Sequence, residues 1–190
     1  MRLGKRFLYV LLLLVFIATT SGHVYAAGKI ESIAKKCNKE VTMILTGLVD
    51  KGTLSQAQLF DTFYIPIPGT NPKKFHTQYD KYTDRFLQPV LDKYLSDKVI
   101  YVIAVDKNGY VPTHNKRFSL NSSGLASLDV AGNRTKRIFN DRTGLAAAKN
   151  KKPFLIQTYQ RDTGEVIYDY SMPLIIKGRH WGALRVGYMK

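Results

Sequence analysis

The chain has 190 residues, enough for one domain with a buried core, and its 29 basic and 14 acidic residues give a formal net charge of +15. This balance favours an acidic ligand, anionic lipid head groups or polyanions as partners, and a generally basic surface accounts for it equally well. A single cysteine, Cys37, excludes an intrachain disulfide and a Cys-x-x-Cys-His haem attachment, and no helix-turn-helix, RNP or zinc-knuckle pattern supports nucleic-acid binding.

Residues 1–26 are predicted to be a signal peptide or an N-terminal membrane anchor. Three basic residues precede an almost entirely apolar run from Phe7 to Thr19, and Val24-Tyr25-Ala26 suits cleavage after Ala26. The run is shorter than the ~20 residues that span a bilayer, which favours a cleaved signal, although the helix predicted after it keeps an anchor open. Either way, residues 27–190 are predicted to form a single periplasmic or otherwise extracytoplasmic domain.

Apolar residues at spacings of three and four predict a long helix from Ala27 to about Leu48. We expect its apolar stripe to pack partly on the sheet of its own domain and partly in a homodimer, with Cys37 as a small core residue. Further helices are predicted within Leu54–Phe63 and Phe75–Tyr94, on either side of a proline-rich loop.

Val99–Val105 is a continuous apolar run, which predicts a strand buried on both faces and therefore central in its sheet. Asn108-Gly109 predicts a turn into a short return strand, Tyr110–Thr113. The long connection from His114 to Lys152 contains a basic run, Asn133–Gly144, and connections of this length often cover a ligand.

The alternation between Phe154 and Tyr188, interrupted by two turns that contain glycine, predicts three antiparallel strands. The expected fold is α+β: a five-stranded antiparallel sheet with the long N-terminal helix packed on one face. Val99–Val105 is expected to lie beside His180–Tyr188.

If Thr163-Gly164 and Lys177-Gly178 are two-residue loops, Tyr159 lies opposite Tyr168 and Tyr170 lies opposite Arg185. One face then collects Gln157, Tyr159, Tyr168, Tyr170, Met172, Trp181 and Arg185. A three-residue loop would break this grouping, because a slip of one residue exchanges the faces of a strand. The predicted face suits a polar ligand pocket, and a half-exposed surface of tyrosines is the equally weighted alternative.

Arg185 places a guanidinium on this face, and a guanidinium needs a hydrogen-bond acceptor. Either a ligand supplies that acceptor, or the protein does so through Asp169 or Asp141. We expect a small anionic ligand, an organic acid or an amino acid, with Arg134 and Arg137 closing over it and its apolar part against Trp181 and Met172. The candidate ligand-binding residues are Tyr101, His114, Arg134, Arg137, Tyr159, Tyr168, Tyr170, Trp181 and Arg185.

Catalysis has little support in the sequence. The four histidines are far apart with no metal-binding spacing, and no nucleophile elbow, phosphate loop or Cys-His-Asn pattern is present. The sequence therefore predicts no enzyme, no metal and no cofactor.

Four segments together resemble the Cache and PAS-like periplasmic sensor domains of bacterial methyl-accepting chemotaxis proteins. They are Val111–Asn115, Asn133–Asp141, Gln157–Glu165 and Gly178–Tyr188. The resemblance covers roughly the whole chain after residue 26 and implies ligand sensing in chemotactic signal transduction, at the membrane and as a dimer. Receptors of this family continue into a second membrane helix and a cytoplasmic coiled coil, whereas this sequence stops at Lys190. A free periplasmic ligand-binding protein and a module binding envelope polyanions are therefore alternatives.

Overall fold

The computed structural model describes residues 28–189. The predicted signal peptide or anchor, residues 1–26, lies outside this range, so the boundary after Ala26 stays a prediction. Within the described range, no helix has both the length and the apolar character that crossing a membrane requires.

Six α-helices and eight strands make up this part of the chain. The first helix, α1, covers residues 28–50. The other helices are α2 (Gln56–Leu59), α3 (Asp80–Phe86), α4 (Gln88–Asp92), α5 (Ala126–Gly132) and α6 (Arg142–Lys149), with a 3-10 turn at Lys116–Phe118. The strands are β1 (Ile65–Pro66), β2 (Phe75–His76), β3 (Val99–Asp106), β4 (Tyr110–Val111), β5 (Arg137–Ile138), β6 (Leu155–Gln160), β7 (Val166–Ile176) and β8 (Arg179–Tyr188).

The apolar stripe of α1 is buried within its own domain. Its buried residues are Ile30, Ala34, Cys37, Val41, Leu45 and Leu48, all part of one core cluster with the facing side of the sheet. Burial raises the pKa of the Cys37 thiol to about 12, with Glu40 adding to the shift, so this residue serves as a small core side chain, as predicted. Since the whole stripe packs inside the domain, a dimer would have to use another side of α1, and it stays a prediction.

The main sheet is antiparallel and has the strand order β3-β8-β7-β6. The α+β class, the helix on one face and the neighbourhood of β3 and β8 are as predicted. The count of five strands is wrong, because β4 leaves β3 and pairs with β5 in a separate two-stranded sheet. The Asp106 carboxylate causes the departure: it accepts hydrogen bonds from the backbone N–H groups of Asn108 (2.9 Å) and Tyr110 (3.0 Å).

β3 is an edge strand, which corrects its predicted central position. Both of its faces are nevertheless buried, because core clusters lie on either side of the sheet. Side chains cover its outer edge: Asn115 Oδ1 accepts a hydrogen bond from Val102 N at 2.8 Å, and Arg117 donates to the carbonyl oxygens of residues 99 and 100. The apolar run therefore predicted correctly that both faces of β3 are buried. It did not indicate whether a strand pairs with each edge, because side chains and core clusters can bury a strand that lies at the edge of its sheet.

The predicted register between β6 and β7 is wrong by one residue. Arg161 N–H donates to Glu165 O at 2.9 Å, which closes a three-residue loop, and Tyr159 pairs with Ile167 instead of Tyr168. The turn between β7 and β8 is as predicted, with Ile176 opposite Arg179. A bulge in β8, where Trp181 is the extra residue opposite Leu174 and Ile175, then shifts the pairing, so that Arg185 lies opposite Ser171 and not opposite Tyr170.

Replacement of Leu45 by alanine should destabilise the domain by about 2–5 kcal/mol, because this fully buried side chain fills the contact between α1 and the sheet. The measurement is the free energy of unfolding in urea. Met43→Ala, two residues away on the same helix but 63% exposed, is the matched control and should change it by less than ~0.5 kcal/mol. Equal effects of the two substitutions would contradict the packing described here.

Candidate functional site

An open cleft of about 410 Å³ lies over the sheet face that points away from α1. Its lining residues are Arg134, Arg137, Phe139, Asp141, Thr143, Tyr159, Gln160, Arg161, Asp162 and Arg185. A recess of about 40 Å³ shares five of these residues and adds Tyr101, Ile103 and His114. The cleft falls within the range of about 300–1,000 Å³ that small-molecule sites occupy.

Six of the nine predicted site residues line this space: Tyr101, His114, Arg134, Arg137, Tyr159 and Arg185. Tyr168, Tyr170 and Trp181 lie instead on the α1 side of the sheet, as does Met172. There Trp181 Nε1 donates to Leu59 O at 2.8 Å, and the Tyr170 ring stacks on Phe154 with centroids 5.3 Å apart. The one-residue shift in register between β6 and β7 and the bulge in β8 are the reason, since each exchanges the faces of the residues beyond it.

Sequence reasoning missed several lining residues, of which Arg161 and Phe139 matter most. Both line the cleft and the recess. Side chains alternate between the two faces along β6, so Arg161 lies on the same face as Tyr159, which precedes it by two residues. The two-residue period of the strand could therefore have predicted Arg161 as a lining residue. Phe139 lies in the basic run Asn133–Gly144 and carried no signal of its own.

The floor of the site is a buried ion pair between Arg185 on β8 and Asp169 on β7. Asp169 Oδ2 accepts hydrogen bonds from Arg185 Nε at 2.8 Å and from Arg185 Nη2 at 2.5 Å. Burial by itself would lower the pKa of the guanidinium, but Asp169, together with Tyr101 and Tyr159, outweighs that effect and the pKa is raised above its usual value. Of the two acceptors weighed for Arg185, a ligand or the protein itself, the structure contains the internal one. The second oxygen, Asp169 Oδ1, is buried without a hydrogen-bond partner among residues 28–189.

Two tyrosine hydroxyls adjoin this pair. Tyr101 Oη and Tyr159 Oη lie 3.0 Å apart and share a hydrogen bond, and burial raises the pKa of both phenols, so they stay protonated. The Tyr101 ring lies across β8 where residue 187 is glycine, and a Cβ there would overlap the ring. Gly187 thus gives Tyr101 its place at the recess.

His114 contributes a neutral imidazole to the recess. Its Nδ1 accepts a hydrogen bond from Asn115 N–H at 2.8 Å, and burial, followed by the charges of Arg134 and Arg161, holds its pKa well below the usual range. The proton of the neutral ring therefore resides on Nε2, which gives the site an uncharged donor.

Three further arginines form the upper wall. Arg134 pairs with Asp162 and donates to Ala131 O at 3.2 Å. Arg137 donates to Val130 O at 3.2 Å and lies 4.8 Å from the centroid of Phe139. Arg161 lies 5.1 Å from the centroid of Phe118. Within the described part of the chain, neither Arg137 nor Arg161 forms an ion pair with a carboxylate.

Lys136 braces the loop that carries Arg134 and Arg137. Its backbone adopts the left-handed region with φ at 64°, unusual for a residue with a side chain. Its Nζ donates to Asp84 Oδ2 and to Pro112 O, both at 2.6 Å, and its carbonyl accepts from Phe75 N–H at 2.9 Å. The loop is thereby fixed to α3 and to β2.

The arrangement is suited to holding an anion. It offers guanidinium groups, phenol hydroxyls and one neutral imidazole, and these are donors to oxygen acceptors. In residues 28–189, no three His, Cys, Asp or Glu side chains are grouped so that they could hold a metal ion.

Replacement of Asp169 by alanine should cost about 3–5 kcal/mol of folding free energy, because it leaves the Arg185 charge buried without its partner. Urea unfolding measures the loss. The double variant Asp169→Ala/Arg185→Met should recover part of it, since no buried charge then remains. If the double variant were as unstable as the sum of the single variants, the two side chains would not be coupled.

Stability should depend on His114 at acid pH. The folded protein keeps this ring neutral, whereas the unfolded chain takes up a proton below about pH 6.5, so the free energy of unfolding falls as the pH drops through that value. The contribution amounts to at most about 2 kcal/mol between pH 7.5 and pH 5.0, the amount reached when the folded ring stays neutral throughout. In His114→Asn, which keeps an acceptor near the Asn115 N–H, this part of the pH dependence should be missing in urea unfolding at the two pH values. A variant with the same acid slope as the wild type would show that His114 is protonated in the folded protein.

The sequence matches no protein-family model and no curated protein. Solved structures do share its fold. The sensory domain of the Campylobacter jejuni chemoreceptor Tlp3 is 14% identical with a TM-score of 0.51, over 90% of this chain and 56% of that one. The ligand-binding domain of Tlp3 in complex with L-valine matches with the same identity and TM-score, over 90% of this chain and 55% of that one.

The chain thus spans about half the length of these two domains. At 14% identity the likeness establishes the fold, and the predicted resemblance to chemoreceptor sensor domains of the Cache/PAS-like type is confirmed at that level.

Proposed function

We propose that the chain is an extracytoplasmic sensing domain of the chemoreceptor type, and that it binds a small carboxylate in the arginine-lined cleft. The domain has no catalytic role in this proposal. Binding of the ligand is its biochemical activity, and the signal passes to other parts of the receptor or to a partner protein.

The observation that carries the proposal is that two half-buried arginines of the cleft have no ion pair within the described part of the chain. Arg137 and Arg161 are half-buried in the cleft wall and form no ion pair with a carboxylate among the described residues, while the cleft that they line has room for a small molecule. A guanidinium keeps its charge at any ordinary pH, and a charge that is withdrawn from water is stabilised by an anionic acceptor. A ligand carboxylate would supply that acceptor.

The fold and its neighbours support the same function. L-valine, bound by the Tlp3 domain, is itself a small carboxylate. In the present chain, the hydroxyls of Tyr101 and Tyr159 and Nε2–H of His114 would add neutral donors below the arginines. The unpartnered Asp169 Oδ1 would accept a hydrogen bond if a ligand donor reached it.

A free periplasmic binding protein is the second candidate. The same cleft would serve it, so the difference lies in residues 1–26: a tethered sensor keeps them, and a free protein begins at Ala27. The intact mass of the protein isolated from its native membrane or periplasm distinguishes the two.

Isothermal titration calorimetry with a panel of small carboxylates tests the proposal. The wild type should bind at least one of them, and Arg161→Gln should weaken that binding by about tenfold or more, through loss of a charge-assisted hydrogen bond. The matched control is Arg179→Gln, an exposed arginine over Phe60 at the other end of β8, which should leave binding unchanged. Equal affinity in wild type and Arg161→Gln would remove the cleft from the binding site.

A further inference from the structure

We propose that the cleft selects ligands with two separate carboxylates, so that a dicarboxylate binds in preference to a monocarboxylate of the same chain length. This inference rests on the proposed function, because it specifies the ligand of the same cleft.

The number of arginines in the site that form no ion pair within the protein indicates how many carboxylates the ligand carries. Two arginines are already neutralised within the protein, Arg134 by Asp162 and Arg185 by Asp169. The remaining carboxylate of the lining, Asp141, is exposed and accepts hydrogen bonds from the first N–H groups of α6, at 2.9 and 3.0 Å. That contact places its charge at the positive end of a helix, which already stabilises it. Arg137 and Arg161 are left as two cations that form no ion pair with a carboxylate of residues 28–189, although Asp162 and Glu165 act on them from a greater distance.

These two cations are separate anchoring points. Arg137 belongs to β5 and lies over the ring of Phe139, whereas Arg161 follows β6 and lies over the ring of Phe118. A guanidinium held against an aromatic ring has a preferred position, and the two positions are set by different elements of the fold, although Arg117 also lies over the Phe118 ring. Two anchored guanidiniums are matched by two carboxylates on one molecule.

The space between the anchors suits a short carbon chain. Phe139 and Tyr159 line both the cleft and the recess, and their rings offer apolar walls. A monocarboxylate would satisfy one arginine and leave the other half-buried without an anion, whereas a dicarboxylate would satisfy both. Burial, followed by the charge of Arg134, lowers the pKa of Arg137, and the charge of Asp162 offsets only part of this shift.

The experiment compares matched ligand pairs on the full chain by calorimetry at pH 7.5. Malonate, succinate and glutarate are titrated beside propionate, butyrate and valerate, each of which has a methyl group in place of one carboxylate. At least one dicarboxylate should bind about tenfold or more tightly than its partner of equal length, the change expected from one hydrogen bond to a charged group. Arg137→Gln and Arg161→Gln should each remove most of this preference, and Arg179→Gln should keep it.

The outcomes separate the two proposals. If a monocarboxylate binds as tightly as its dicarboxylate partner, the inference is wrong and the proposed function stands. If inorganic phosphate binds more tightly than every dicarboxylate, the site reads one compact dianion and the inference is again wrong. If no carboxylate binds to the wild type, both proposals fail. The comparison on the wild type needs no variant, so it remains decisive even if Arg137→Gln does not fold.

Discussion

The buried ion pair between Arg185 and Asp169 is the contact on which the ligand side of the molecule depends. It joins the two middle strands of the sheet on a face where Ile103 and Ile167 would otherwise make an ordinary core. Because each charge is tolerated only in the presence of the other, the pair fixes how β7 and β8 align on that face. Because Asp169 neutralises Arg185 within the protein, Arg185 is not available to pair with an external anion. Recognition of such an anion then falls to Arg137 on β5 and Arg161 after β6.

The elements of the fold could be predicted because their signals are local. The stripe of α1 and the apolar run of β3 are periodic or continuous over many residues, and no partner is needed to recognise them. The register could not be predicted, since Asp162-Thr163-Gly164 fits a loop of two residues as well as one of three, with glycine at a left-handed position (φ 95° at Gly164) in either case. One residue of difference decided which tyrosines face the cleft.

In the candidate site, too, residues predicted from local signals line the cleft, whereas several residues predicted from strand register do not. His114, Arg134 and Arg137 belong to the long connection that was expected to cover a ligand, an expectation that does not depend on strand register, and they line the cavity. Tyr168, Tyr170 and Trp181 were placed by register alone, and they lie on the other face. The irregularity lies in β8, where Trp181 is an extra residue between the pairs Ile175–His180 and Leu174–Gly182. No local sequence pattern could decide between Asp169 and Asp141 as the partner of Arg185, because this pairing depends on how β7 and β8 align in the folded protein.

The side chains that cover β3 have a consequence for aggregation. Asn115 and Arg117 occupy backbone groups on the outer edge of β3, so a strand from another molecule finds this edge already taken. The other edge is β6, and its residues Leu155–Gln160 include no charge and no proline, the features with which many proteins keep their edges from pairing. At high concentration, growth of the sheet from one molecule into the next would therefore start at β6.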